Sequence, residues 1–251
     1  MKIDFQSFMV GCCLGDSSFE FRARTDTFDR ISFGHKIENK DYVDLKKNIL
    51  SENNIEFSEL KGLSMTNICR FRISYSKYSE LIETYYELTR NNDRSRKLPS
   101  IEYITPTTLF FWFLDDGYTT ARNCKNKSSK ISGYVRTEIG IALKSYADED
   151  IMNLTPQINE KFGLNFTYKY DYYNGTKKIK DIILSKKKDQ YKFLDLMYQF
   201  KEILPVSMEY KFCLCEIPKR NGISVDTRYN MCDVHETGFC TCREKDFSNC
   251  L

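Results

Sequence analysis

The chain has 251 residues, 41% hydrophobic and 29% charged, with 5 Pro and 11 Gly and a mean hydropathy of −0.52. That composition excludes a collagen-like or disordered chain and leaves room for one large domain or two ordinary ones. No stretch approaches the roughly eighteen uncharged apolar residues of a membrane helix, and MKIDFQSF lacks the basic start and apolar core of a secretory signal, so an intracellular location with mostly free thiols is expected, in a microbial cytoplasm or an organelle matrix. With 38 basic against 35 acidic residues the net charge is only +3, so any binding of nucleic acid must rest on local patches.

Along the chain, the first half opens on an apolar segment, SFMVGCCLGDSSFEF, followed by basic strand-like segments around 21–24 and 30–36 and a helix over 41–50. IEFSEL and ICRFRISYS read as strands, and YSELIETYYELTR as a helix. A junction rich in Asn, Arg and Lys spans 91–100. The second half opens on PTTLFFWFLDDG, then RNCKNKSSK as a polar loop, VRTEIGIAL as a strand, and ADEDIMNLTPQINEKFG as a helix that Gly163 closes. LNFTYKYDYY and KIKDIILS form a hairpin around Asn174-Gly175, and QYKFLDLMYQFKEIL is a helix. The halves follow one order of elements, so the predicted fold class is α+β, built from tandem αββαββα repeats. The expected boundaries are 1–97 for the first repeat, 98–212 for the second and 213–251 for a Cys-rich C-terminal extension, which carries six of the ten cysteines.

Each repeat begins with an apolar helix ending in an acid, MVGCCLGDS at 9–17 and LFFWFLDDG at 109–117, which puts Asp16 and Asp116 in the same place. A carboxylate at a helix C-terminus is disfavoured by the helix dipole, and burying two such helices together brings two acids close. Divalent cations relieve that repulsion. Oxygen-rich sites with few protein ligands suit Mg²⁺, with Mn²⁺ able to substitute, so the pair reads as a phosphodiesterase centre. A single apolar segment ending in Gly-Asp reads more simply as a buried helix with a solvated terminal acid; two copies opening two similar repeats favour the functional reading.

GCCLGDSSF and TPTTLFFWFLDDGY resemble the two motifs of single-chain LAGLIDADG homing endonucleases, and LPVSMEYKF resembles the family's repeat ending; the likeness spans roughly residues 5–212. The first motif departs from the signature with Leu14 and Gly15 in place of Asp and Ala, and the second carries Phe110 and Phe111 where small residues often sit. The resemblance implies a pseudo-twofold arrangement in which the two motif helices pack together between two saddle-shaped antiparallel sheets lying in the DNA major groove. It implies a monomer that binds a long double-stranded target and cuts one phosphodiester in each strand, leaving 3′ overhangs. Asp16 and Asp116 would ligate the metal with the backbone carbonyls of Gly15 and Asp115, and Lys211 would be the basic residue beside the attacking water. Lys97 is the matching candidate in the first repeat, with Arg96 the alternative.

Strand alternation lets Arg22 and Arg24, Arg70 and Arg72, or Lys178 and Lys180 face one groove together, where Arg suits guanine edges and phosphates. Arg30, His35, Lys36, Arg122, Arg136 and Lys169 join them as candidate DNA contacts, with Lys125, Lys127 and Lys130 in a phosphate-binding loop. In the tail, Cys213, Cys215, Cys232, His235, Cys240, Cys242 and Cys250 offer zinc-type ligands, but the spacing lacks paired C-x2-C knuckles, so a terminal extension without zinc is the favoured reading. Two other functions fit the same scaffold: an intron-splicing maturase that binds the intron RNA, and a catalytically silent DNA-binding regulator. Both motif acids are present, which favours cutting.

Overall fold

The computed structural model describes residues 2–22, 28–59, 67–124 and 134–212, with backbone only at 122–124, 134, 135 and 173. Its first half runs α1 (Phe5–Leu14), β1 (Ser18–Phe21), β2 (Phe28–Lys36), α2 (Lys40–Glu52), β3 (Ser58–Glu59), β4 (Ile68–Ser74) and α3 (Ser79–Thr89). The second half runs α4 (Pro106–Asp116), β5 (Gly117–Cys124), β6 (Tyr134–Ala142), α5 (Asp148–Phe162), β7 (Thr167–Tyr173), β8 (Thr176–Leu184) and α6 (Lys187–Tyr198). This is the αββαββα order twice. Both sheets are antiparallel and share one strand order, β1-β2-β4-β3 and β5-β6-β8-β7.

Local chemistry sets the boundaries. Asp4 caps α1 by accepting the Ser7 N–H at 2.9 Å, and Thr105 caps α4 from its Oγ1, with Pro106 as the first helical residue. Gly163 closes α5 in the left-handed region at φ 63°, and Asn174 and Gly175 turn the β7–β8 hairpin with positive φ at both positions. Two expectations shift. Residues 122–124, read as loop, lie in β5, which begins directly at Gly117; IEFSEL contributes only the two-residue β3. Polar composition misled in the first case, since Thr119, Thr120 and Arg122 sit on a strand whose pairing with β6 is backbone-driven.

The core is shared by the two repeats along α1 and α4, whose side chains from Phe8 to Leu14 and Thr108 to Leu114 are almost wholly buried. The helices approach closely because Gly11 has no side chain: a Cβ there would lie 2.7 Å from the Thr108 carbonyl and 2.9 Å from the Phe111 Cβ. Phe111 packs edge-on against Phe8 at 4.8 Å, while Phe110 turns away to stack on Phe200 at 4.5 Å. The bulky residues of the second motif are thus absorbed, one opposite a glycine and one in its own repeat. Each fully buried Phe contributes about 1.5–3 kcal/mol to this seam. Among the described residues, no helix is long and apolar enough to cross a membrane.

Candidate active site

At the C-termini of α1 and α4 the last backbone carbonyls lose their helical partners and need other donors. In the first repeat Arg96 supplies them: its guanidinium donates to the Leu14 carbonyl at 2.6 Å and the Gly15 carbonyl at 2.8 Å. In the second, Lys211 Nζ donates to the Leu114 carbonyl at 2.6 Å and the Asp115 carbonyl at 3.2 Å. Arg96 and Lys211 therefore occupy equivalent places. Adjacent residues of an extended segment point oppositely, so Arg96 reaches the helix end while Lys97 binds the Thr89 carbonyl through its backbone N–H. The first-repeat cation at this site is the alternative, Arg96, rather than Lys97. Tyr146 adds a bond to the Leu14 carbonyl at 2.7 Å, and Arg90 one to Cys13 at 3.3 Å.

Asp16 and Asp116 follow directly. Asp16 remains about two-fifths exposed at its side chain, and Asp116 about one-fifth. Arg96 approaches Asp116 to 3.8 Å. Burial pushes the Asp116 carboxyl up to about 7, reinforced by the negative charges of Asp115 and Asp16. Burial and Asp115 likewise raise Asp16. Burial lowers the Lys211 ammonium to about 8 despite the surrounding acids, whereas Arg96 stays charged.

Beside these acids lies a buried network that motif reading missed. Asp115, whose side chain is fully buried, accepts from Lys46 Nζ at 2.8 and 3.1 Å and from the Tyr42 hydroxyl at 2.8 Å. A signal was present: Tyr42, Val43, Lys46, Ile49 and Leu50 form the buried face of α2, and a lysine on such a face demands a buried acid.

His35 also departs from its expected place. Residues Ile31, Phe33 and His35 share one face of β2, opposite Arg30, Ser32, Gly34 and Lys36. The histidine thus sits at the end of the core-facing row, with Nε2 3.5 Å from Asp16 Oδ2. Its Nδ1 accepts the Lys36 backbone N–H at 3.1 Å, which puts the hydrogen on Nε2, facing Asp16. Burial holds the ring at about 4, hence neutral. One ligand atom from each of Asp16, His35 and Asp115 lies within 4.8 Å of the others. That trio is a poor metal cage, since Asp115 is engaged by Lys46 and His35 presents a hydrogen. Asp16 and Asp116 stand beside the Gly15 and Asp115 carbonyls, oxygen atoms of the kind that hard divalent ions prefer.

Arg70 and Arg72 pair with Gly34 and Ser32, so they share the outer face of the first sheet with Arg30 and Lys36; Arg72 donates to Ser58 at 3.0 Å. Arg22 pairs with Asp29 at 3.2 Å, and Arg30 with Glu20 at 3.1 Å. On the second sheet Lys169 and Arg136 flank the buried Glu138 at 3.1 and 3.7 Å. Lys178 is exposed, with Lys180 on the same side, opposite the buried Ile179. Arg24, Lys125, Lys127, Lys130, the side chain of Arg122 and the whole Cys-rich tail fall outside the described residues.

Duplicated αββαββα units, joined through two helices that each end in an acid, define a two-motif architecture. The chain matches the LAGLIDADG DNA endonuclease family over residues 6–193 and belongs to that family. Among solved structures it is similar to the homing endonuclease I-WcaI bound to its DNA recognition sequence, at 20% identity over 85% of this chain and 88% of that one, with a TM-score of 0.54. It is also similar to the LAGLIDADG meganuclease I-AabMI bound to uncleaved DNA, at 10% identity over 93% and 98%, with a TM-score of 0.57. A third, I-SmaMI bound to an uncleaved DNA target in the presence of calcium ions, shows 12% identity over 92% and 97%, with a TM-score of 0.55. At these identities the likeness establishes the fold. No curated protein matches the chain.

Proposed function

We propose that this chain is a monomeric, divalent-metal-dependent DNA endonuclease that binds a long double-stranded site in the major groove and hydrolyses one phosphodiester in each strand, leaving 3′ overhangs. The observation that carries the reading is the placement of Asp16 and Asp116 at the ends of two packed helices, each end supplied with a cation from its own repeat. Mg²⁺, when bound, supplies an activated water and neutralises phosphate charge. Asp16 and Asp116 would hold it, with the Gly15 and Asp115 carbonyls, and Mn²⁺ would substitute.

The remaining work falls to the chain's own groups. Arg96 and Lys211 hold positive charge beside the acids, where charge grows on a phosphate in the transition state. His35 directs a neutral N–H towards Asp16 and orients that carboxylate or a water on it. The outer-face arginines and lysines of both sheets bind backbone phosphates and base edges.

The test is cleavage of a duplex library of candidate sites in Mg²⁺ or Ca²⁺ by the intact chain, Asp16→Asn and Asp116→Asn. Double-strand cuts with 3′ overhangs in Mg²⁺, reduced at least a thousandfold in either variant with DNA binding kept, are expected. Specific binding of duplex DNA with no cutting by the intact chain would leave a regulator; specific binding of RNA instead would leave a maturase.

A further inference from the structure

We propose that Asp115 is a positioning residue: its carboxylate, fixed by Lys46 and Tyr42 of the first repeat, holds the backbone of Asp16 and so sets the separation at which Asp16 and Asp116 share a divalent cation. The proposal deepens the endonuclease reading and rests on it for the identity of the two acids as metal ligands.

The backbone at Asp16 needs such a hold. One turn back, the Cys12 carbonyl is already taken by the Ser17 N–H at 3.2 Å and the Ser17 hydroxyl at 2.8 Å. The Asp16 N–H donates instead across the repeat boundary to Asp115 Oδ2, at 3.2 Å. Asp115 is the chain neighbour of Asp116, so one rigid carboxylate is bonded to the amide of the first acid and covalently adjacent to the second.

Every other feature of Asp115 keeps it still. Lys46 bonds both carboxylate oxygens and Tyr42 bonds Oδ1. Gly15 makes the space: a Cβ there would lie 2.3 Å from the Asp115 Cβ and 2.5 Å from Oδ2. The helix that carries Lys46 and Tyr42 is itself tied to the second repeat, because Asp41 accepts the Ser207 N–H at 2.9 Å and the Ser207 hydroxyl as well. That segment ends in Lys211. The clamp therefore closes a ring from α2 through Asp115 to both acids and back through the segment bearing Lys211.

A buried ion pair between repeats could serve stability alone, and the experiment separates the two roles. Replacing buried ion pairs by apolar residues of similar volume is often neutral for stability, so Asp115→Leu/Lys46→Met tests the clamp in a folded chain. Hydrogen exchange of the Asp16 amide is measured on the intact chain and on the variants, and Mn²⁺ alone is titrated into each with the free ion counted by electron paramagnetic resonance. The Asp16 amide should be protected at least a hundredfold in the intact chain and exposed in the double variant, whose Mn²⁺ affinity should fall tenfold or more. Asp115→Asn/Lys46→Met keeps an acceptor for the amide without leaving the buried ammonium unpaired and should hold Mn²⁺ affinity within about threefold.

An unprotected Asp16 amide in the intact chain overturns the proposal, as does a folded Leu/Met variant with unchanged Mn²⁺ affinity. Should the Leu/Met variant not fold, the amide of the intact chain and of Asp115→Asn/Lys46→Met still decides. Absence of cleavage with a protected amide would overturn the endonuclease reading and leave the clamp standing.

Discussion

The two repeats share an order of elements and an order of strands, yet their functional ends are built from different side chains. At equivalent positions of the motif helices the first repeat has Gly11 and Gly15 where the second has Phe111 and Asp115, and in both cases the glycine makes room for its counterpart. The capping cation is Arg96 in one and Lys211 in the other. Counting from the strand pairs Ser18–Ser32 and Tyr118–Gly140, His35 corresponds to Leu143, a buried apolar residue. A duplicated fold thus fixes where the acids stand, while knob and hole, charge and hydrogen-bond donor are divided between the copies. Packing a helix against its own duplicate brings like residues together at the axis, and two phenylalanines or two aspartates there would not fit.

The sharpest way to break the comparison is at the cations. Lys211→Met and Arg96→Met should each lower cleavage by about 10²–10³-fold, the usual loss for one charge-stabilising donor in an active site. If each cation serves the phosphate nearest its own helix end, the two variants nick opposite strands preferentially, which strand-specific labels on a supercoiled target would read. Equal loss on both strands would show that the cations act jointly through the shared acids. Arg96→Lys should restore most activity and add a decline above pH 8, because a lysine buried like Lys211, which titrates near 8, loses its charge there.

The second prediction concerns the glycine side of the seam. A methyl at Gly11 would press on a backbone carbonyl, which cannot rotate away. Gly11→Ala should destabilise by about 1–3 kcal/mol, the cost of overpacking a filled core. In a chain of this length that lowers Tm by about 2–4 °C per kcal/mol, and calorimetry would measure it. Phe111→Ala in the same background should recover part of the loss; independent, additive losses would show that the two positions are not coupled.

How much of this was legible depended on whether a residue announced itself locally. Asp16 and Asp116 could be read because an acid at the end of an apolar run is conspicuous, and the repeat doubled the signal. Gly163 and Asn174-Gly175 could be read because positive φ selects for them. Lys97 and Arg96 could not be separated, since which of two adjacent cations turns inward is set by the path of the junction. His35 was grouped with the surface bases of its strand, although its parity with Ile31 and Phe33 already put it on the other face. Lys46 stood out on the apolar face of its helix, but its partner Asp115 needed tertiary structure, since their pairing spans 69 residues.

The third prediction is a pH dependence. The unfolded chain loses the Asp116 proton near the ordinary value of 3.8, and the folded chain keeps it until about 7. Between those values the folded state binds more protons, so this group's contribution to the metal-free protein's stability falls as pH rises from about 4 to 7. From pH 5 to 7.5 this group's fall is on the order of 2 kcal/mol, or about 5 °C in Tm, and it is opposed by His35, held at about 4 in the folded chain against 6.5 unfolded, whose contribution rises over nearly the same window. Asp116→Asn should therefore give a profile that rises with pH relative to that of the intact chain, and saturating Ca²⁺ should do the same by taking the proton's place. Identical profiles for the metal-free intact chain and Asp116→Asn would mean that Arg96 and Lys211 already compensate the acid.

The smallest effects are expected on the sheets, where the comparison turns from one repeat against the other to one face against the other. Arg70 and Arg72 lie on the outer face of the first sheet and Lys178 and Lys180 on the side of β8 away from Ile179, while His35 lies on the inner face beside Asp16. Each outer-face Ala substitution that removes a phosphate contact should weaken DNA binding by about 1 kcal/mol and reduce the slope of log K against log salt by about one. An arginine that reads a base edge should instead relax preference at one position and leave the slope closer to its original value. His35→Ala should leave both slope and affinity nearly unchanged and lower the cleavage rate, because its N–H points at Asp16. A His35→Ala variant whose salt slope falls like that of Arg72→Ala would place the histidine among the DNA contacts and remove it from the site.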